Sequence, residues 1–329
     1  MITFPRRFIV GCLALAFSAA AFAADYPRKK VLFFTKSSGF EHDAIKLAMK
    51  DGRPGFAFPT LTALGEKENI DFVFSKDGSL FTPGYLAQFD AYFFYTTGDL
   101  TLARNGEKSG DGNPPMTAAG KEALLQAIKN GKGFIGSHSA TDTFHAPNNK
   151  EHGPARFQND GDKTDAYGKM IGASFIKHGA QQPARMVVVD KKFPGMASVP
   201  ADFGPNEEWY SLKNFGTDLH VLMVQETASM KGIEYARPSY PATWAKMHGK
   251  GRVFYTSMGH REDIWSNPAF QSVLAGGLNW ALGRVKADIS PNISKVTPNA
   301  STLPAFVMPS PPAFGPGSVP DAAKAGTKK

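Results

Sequence analysis

The chain has 329 residues, with 37 Lys and Arg against 29 Asp and Glu, a formal charge of +8. The surplus is scattered and shows no basic stripe interleaved with aromatics, which argues against a nucleic-acid partner and leaves solubility as its main effect. Cys12 is the single cysteine, so any form lacking the first residues has neither a disulfide nor a thiol nucleophile.

Residues 1–23 read as an export signal rather than as part of the fold. Arg6 and Arg7 form a positive start, Phe8 to Ala20 an apolar core, and Ala21-Phe22-Ala23 a small-x-small cleavage site. The apolar run is too short for a transmembrane segment, which needs about 20 residues. Cys12 as a lipid-anchor site would leave almost no apolar core ahead of it, and the residues around Arg6-Arg7 fit twin-arginine export poorly. Cleavage after Ala23 would remove Cys12 and two positive charges, and the expected location is periplasmic or secreted. Residues 24–285 are then one large domain. Residues 286–329 form a tail rich in proline, from Pro291 to Pro320, which favours an extended or disordered course.

Within the domain, Lys30 to Thr35 reads as a first buried strand. Its loop leads through His42 to a helix expected over Ala44 to Met49, with Asp43 as N-cap. Asp71 to Ser75 and Ala91 to Tyr95 are the next strands, the latter ending at Asp99. Thr117 to Asn130 has a helical period, with Leu124, Leu125 and Ile128 inward and Gly131 as its stop. Gly133 to Gly136 is a short buried strand that breaks off at His138. Arg185 to Val189 and His220 to Val224 are further strands, and Pro241 to Met247 with Arg252 to Ser257 reads as a hairpin. A last helix covers Pro268 to Leu282. Short apolar strands alternating with helices define an α/β fold with a mostly parallel sheet and helices on both faces.

His42, His138 and His260 each follow an apolar strand by a short turn. In an open α/β sheet ligands bind beyond the carboxyl ends of the strands, so parallel neighbours would bring these imidazoles to one crevice. Neutral imidazole is a favoured zinc ligand, and a catalytic zinc takes about three protein ligands and a water. His42, His138 and His260 are therefore candidate metal ligands, with Asp142 or Glu208 as carboxylate ligand or base. His138 and His260 are equally candidates for proton transfer without a metal. Asp99 ends a strand and is a candidate for the crevice. Trp209, Tyr210, Trp244 and Trp265 could offer flat faces to a ring-shaped ligand, although aromatics of this size more often pack cores. Glu262 and Asp263 could orient His260. His145 and His152 belong to a polar insertion, residues 146–163, and are expected at the surface; the insertion could form a lid. His220 reads as structural and His248 as a hairpin-turn residue.

The entry to His42-Asp43, Gly136-Ser-His-Ser-Ala-Thr-Asp-Thr-Phe144, Asn206-Glu-Glu-Trp-Tyr210, Pro241-Ala-Thr-Trp244 and Gly251 to His260 together resemble the trehalose-utilisation (ThuA-like) family, over about Lys30 to Leu282. The resemblance implies a flavodoxin-like sheet of the class I glutamine amidotransferase type. There the strand-to-helix elbow carries a nucleophilic cysteine; here the elbow holds Ser137-His138-Ser139, so glutaminase chemistry is excluded. Neither serine occupies the exposed elbow position that a serine hydrolase needs. His178 resembles a family histidine and is placed near the pocket or in loop packing. By the same resemblance the expected ligand is a small-molecule carbohydrate, and the expected reaction is hydrolysis, elimination or isomerisation of a disaccharide or 3-keto-sugar. A divalent metal such as zinc is the implied cofactor, with no nucleotide cofactor. The alternative is a non-catalytic carbohydrate-binding or scaffold protein of the same shape.

Overall fold

A computed structural model describes residues 26–106, 110–146 and 153–307. The expected export signal, His152 and the end of the proline-rich tail lie outside the described residues. The strands that matter are β1 (Lys29–Phe34), β2 (Ile70–Ser75), β3 (Ala91–Phe94), β4 (Gly133–Ser137), β5 (Ser174–His178), β6 (Met186–Val188), β7 (Tyr210–Lys213), β8 (His220–Gln225), β9 (Tyr240–His248) and β10 (Gly251–Thr256). Eight of them form one sheet in the order β2-β1-β3-β4-β10-β9-β8-β6. The pairs from β2 to β10 are parallel, with Val31 beside Ala91, Ala91 beside Gly133, and Val253 beside Phe134. The pairs from β10 to β6 are antiparallel, and β9–β10 is the hairpin expected from the sequence.

β3 and β4 are buried along their whole length and β1 from Val31 onward, as strands covered on both faces must be. Alternation still sorts their side chains: Val31 and Phe33 enter one core, Leu32 and Phe34 the other. The first core lies under helices α1 (Ala57–Glu68) and α4 (Pro268–Ala281), the second under α2 (Ala118–Lys129) and α3 (Ala166–Ile171). Thr117 Oγ1 caps α2 by accepting from the Gly120 amide at 2.9 Å, and Asn267 caps α4, with Pro268 in its first turn. α4 approaches the sheet so closely that a Cβ on Gly277 would lie 2.5 Å from the Phe254 ring.

Two local expectations are corrected. Residues 44–49 are not a helix: one 3₁₀ turn, Asp43–Ile45, is followed by extended Lys46, and the N-cap position belongs to His42 without a side-chain cap. The Asp43 carboxylate instead accepts from Lys46 at 2.6 Å. The first long helix is α1, which starts without a side-chain cap and is held by Phe58, Leu61 and Leu64 in the core. After α4 the chain runs back over the sheet. Asn292 brackets Val221, its Oδ1 accepting from the amide at 2.7 Å and its Nδ2 donating to the carbonyl at 3.1 Å. Arg237 ties β7 to this segment by donating to the carbonyls of Leu212 and Ala300.

Candidate metal centre

β1, β4 and β10 run parallel, so the loops that leave their carboxyl ends meet along one edge. His42 comes from the first loop, His138 from the second and His260 from the third. The ring centroids lie 5.0 Å apart for His42 and His138, 5.4 Å for His42 and His260, and 5.2 Å for His138 and His260. Glu208 enters among them: its Oε2 is 3.5 Å from His138 Nε2 and 3.9 Å from His42 Nε2, and its Oε1 is 3.7 Å from His260 Nε2. One donor atom from each of the four side chains falls within 4.8 Å of the other three. Ligands about 2 Å from a shared zinc sit roughly 3–4 Å from one another, so this set fits such an ion with small adjustment.

Each arm of the site has a local cause. His138 immediately follows β4 at φ +44°, a left-handed conformation that costs a non-glycine residue about 1–3 kcal/mol. The turn aims the ring at the centre. Its Nδ1 lies 3.2 Å from the Ser257 carbonyl, which accepts only from a protonated nitrogen and so leaves the lone pair on Nε2. That Nε2 is buried and has no hydrogen-bond partner among the described residues. A buried acceptor left open beside a carboxylate is what a cation would complete. The His260 arm is held by Glu207, a fully buried residue that sequence reasoning missed. Glu207 Oε2 accepts from the amides of Gly259 at 2.9 Å and His260 at 3.0 Å, while Oε1 accepts from the Glu208 amide at 2.8 Å. Adjacent side chains of an extended segment point opposite ways, so Glu207 anchors the loop while Glu208 faces the cluster. Gly259 sits at φ +126°, where a Cβ would stand 2.7 Å from Ser137 Oγ.

Burial is the main cause of the site's electrostatics. It pushes His138 down to about 4, helped by nearby His42, and His260 down to about 3, helped by His138. Burial alone would raise Glu208, but the close imidazoles of His138 and His42 hold it well below the usual carboxylate range. Near neutral pH the centre thus sets an ionised Glu208 beside the neutral imidazoles of His138 and His260, a donor set suited to a divalent cation. Glu207 is pushed up to about 7 by its burial, against the pull of its backbone amides. Tyr210 packs its ring 4.2 Å from that of His138 and brings its hydroxyl to 3.5 Å from His42 Nε2. Burial raises the Tyr210 phenol well above 10, so it stays protonated. His178, half exposed on β5, has Nδ1 3.3 Å from Glu208 Oε1 but is not one of the four clustered donors.

The other expected site residues lie elsewhere. Asp142 faces His145 at 2.6 Å with Arg156 at 3.5 Å, so it is spent on an internal ion pair, and His145 is largely buried rather than at the surface. Asp99 closes a turn by accepting from the amide and hydroxyl of Thr101. Trp209 and Trp244 are fully buried and donate to the carbonyls of Gln182 and Ile171, so both are core and neither offers a face to a sugar. Trp265 is core as well. Glu262 is exposed toward Arg53 and Asp263 pairs with Arg261; neither touches His260, whose Nδ1 instead lies 3.3 Å from the Gln181 amide. Ser137 donates to the Met258 carbonyl, and Ser139 is buried. His220 bridges Ser290 and Asp190, a structural role, and His248 ends β9 beside the hairpin turn. Among residues 153–163, Ala155 and Gln158 present carbonyls to Lys213.

The sheet is mostly parallel, its strand-end loops gather three imidazoles, and the elbow after β4 carries no thiol. The chain belongs to the ThuA family, described as trehalose utilisation, whose model matches residues 30–281. A ThuA-like protein from Bacteroides uniformis ATCC 8492 superposes with a TM-score of 0.56 at 19% identity, covering 81% of this chain and 96% of that one. Another from Parabacteroides merdae ATCC 43184 gives 0.50 at 17% identity, covering 86% and 98%. A comparison with curated proteins finds no match. No helix among the described residues is long and apolar enough to cross a membrane.

Proposed function

We propose that this chain is an exported, metal-dependent enzyme acting on a carbohydrate, with His42, His138, Glu208 and His260 holding a divalent ion such as zinc. The observation that carries the reading is the open lone pair of His138 Nε2, buried and aimed at Glu208 among three imidazoles. An ion bound there supplies a Lewis acid for a sugar carbonyl or hydroxyl and lowers the pKa of a bound water. The protein's own part is to fix that donor set. Ser257 sets the His138 tautomer, Glu207 fixes the His260 loop, and Glu208 contributes the charge. The protonated Tyr210 hydroxyl is a donor for a substrate oxygen beside His42. Burial of the set excludes bulk water and strengthens each of these interactions.

The family description supports a sugar, and the site chemistry supports proton abstraction beside a ketone, or elimination or hydrolysis at a glycosidic oxygen, in a disaccharide or its 3-keto derivative. Turnover of 3-keto-trehalose by metal-loaded protein tests this. The wild type is expected to consume it, and His138→Ala and His260→Ala to lose turnover. Sugar binding that persists in both variants, with no turnover in the wild type, would instead make the chain a binding module.

A further inference from the structure

Trp209 and Trp244 are buried in the core and offer no aromatic surface to a sugar ring. Phe40 is half exposed, at 50%, although it is a large aromatic in a stapled loop two residues before a cluster histidine. Its ring stands edge-on to His42 with centroids 5.1 Å apart. It also walls a cleft of about 650 Å³, within the roughly 300–1,000 Å³ typical of small-molecule pockets. Glu41, Asp43, Lys46 and Asn105 line the same cleft and supply both donors and acceptors. The exposure is not that of a loose loop. Thr97 Oγ1 donates to the Phe40 carbonyl at 2.8 Å, and the Ser38 amide donates to the Thr97 carbonyl at 2.8 Å. The Ser37 amide donates to Asp111 Oδ2 at 2.7 Å, and a Cβ on Gly39 would press on the Thr97 side chain at 3.3 Å. Asp111 is itself fixed by two buried lysines, Lys36 at 3.7 Å and Lys76 at 3.6 Å.

We infer that Phe40 and the cleft beside it form a second sugar subsite, which holds the ring of a disaccharide that is not undergoing reaction while the other ring reaches the His42 cluster. The C–H face of a pyranose is apolar and packs on an aromatic face, and its hydroxyls require a rim of mixed donors and acceptors such as this cleft carries. A ring held at a rigid platform lowers the entropy cost of placing its neighbour at the centre. This inference rests on the carbohydrate reading above.

The test is calorimetric titration of trehalose, sucrose, lactose and glucose into metal-loaded wild type, Phe40→Ala, Phe40→Leu and Phe40→Trp, with metal content and thermal midpoint recorded for each. The subsite predicts that the wild type binds at least one disaccharide. Phe40→Ala and Phe40→Leu should weaken that binding by about tenfold at unchanged metal content, Phe40→Trp should retain it, and glucose should be affected less. Leucine keeps apolar bulk without a flat face, so it separates a platform from simple packing. Disaccharide binding equal in wild type and Phe40→Ala would overturn the subsite and leave the metal-dependent sugar enzyme standing. Metal-loaded wild type that binds none of these sugars would overturn the subsite and the carbohydrate assignment together.

Discussion

At the scale of single residues, the centre depends on which nitrogen of each imidazole is free and on what holds the loops that carry them. His138 was legible because a short apolar strand stops at it, and the three-histidine pattern came from one rule applied three times. Glu208 was visible as a nearby carboxylate. Glu207 was not, because its work is to accept backbone amides, and no spacing in a sequence announces that. Asp142 and Glu208 looked equivalent as acids, but only the local turn decides which one meets the imidazoles and which meets His145. Replacing Glu207 with Ala orphans the amides of Glu208, Gly259 and His260. Each orphaned buried donor costs about 1–3 kcal/mol. Loss of such an outer support should also reduce metal affinity by about 10–100-fold. Denaturant unfolding and a competitive zinc titration of Glu207→Ala read the two effects, and unchanged zinc affinity would deny Glu207 its supporting role.

At the scale of elements, the parallel strands were legible because burial on both faces leaves continuous apolar runs such as Val-Leu-Phe-Phe in β1. α1 was not, for reasons its sequence makes plain. It opens at Phe56 with no capping side chain, carries Pro59 in its first turn, and includes Thr60, Thr62 and Gly65, all modest or poor helix formers. Its stability comes from Phe58, Leu61 and Leu64 against the sheet, a tertiary effect. The pairing of β5 with β7 was equally hidden, since both are short and their register shifts at Ser211/Leu212. Trp244 shows why an aromatic motif misleads: its ring packs 4.3 Å from that of Tyr255 within the sheet's second core. Trp244→Ala should therefore cost about 3–5 kcal/mol of stability, while the folded protein retains its metal. Denaturant unfolding with metal analysis of the folded fraction checks both. A stable variant that had lost sugar affinity would return Trp244 to the binding site.

At the scale of the whole molecule, the buried centre ties stability to pH, and the sign comes from the directions of the shifts. His138 at about 4 and His260 at about 3 lie below the unfolded value of 6.5, so their contribution is complete above pH 6.5 and is lost as pH falls toward those values. The depressed Glu208 acts in the same direction below its unfolded value of 4.5. Glu207, raised to about 7, acts oppositely: its contribution is present below pH 4.5 and is lost as pH rises through 7. Two imidazoles outweigh one carboxyl between pH 4.5 and 6.5, and below that nothing in the set opposes them. The denaturant midpoint of metal-free protein should fall as pH drops below about 6.5, most steeply below about 4.5. A midpoint that is flat or rises on acidification would contradict the neutral-imidazole description.

The central claim is that four side chains from separate loops form a metal centre. Elemental analysis of purified wild type and His138→Ala, each after exposure to zinc and removal of free metal, tests it most directly. The expected result is about one divalent ion per wild-type chain and a clear loss in the variant at unchanged fold. Metal-free wild type after that exposure, or equal metal in both proteins, would contradict it.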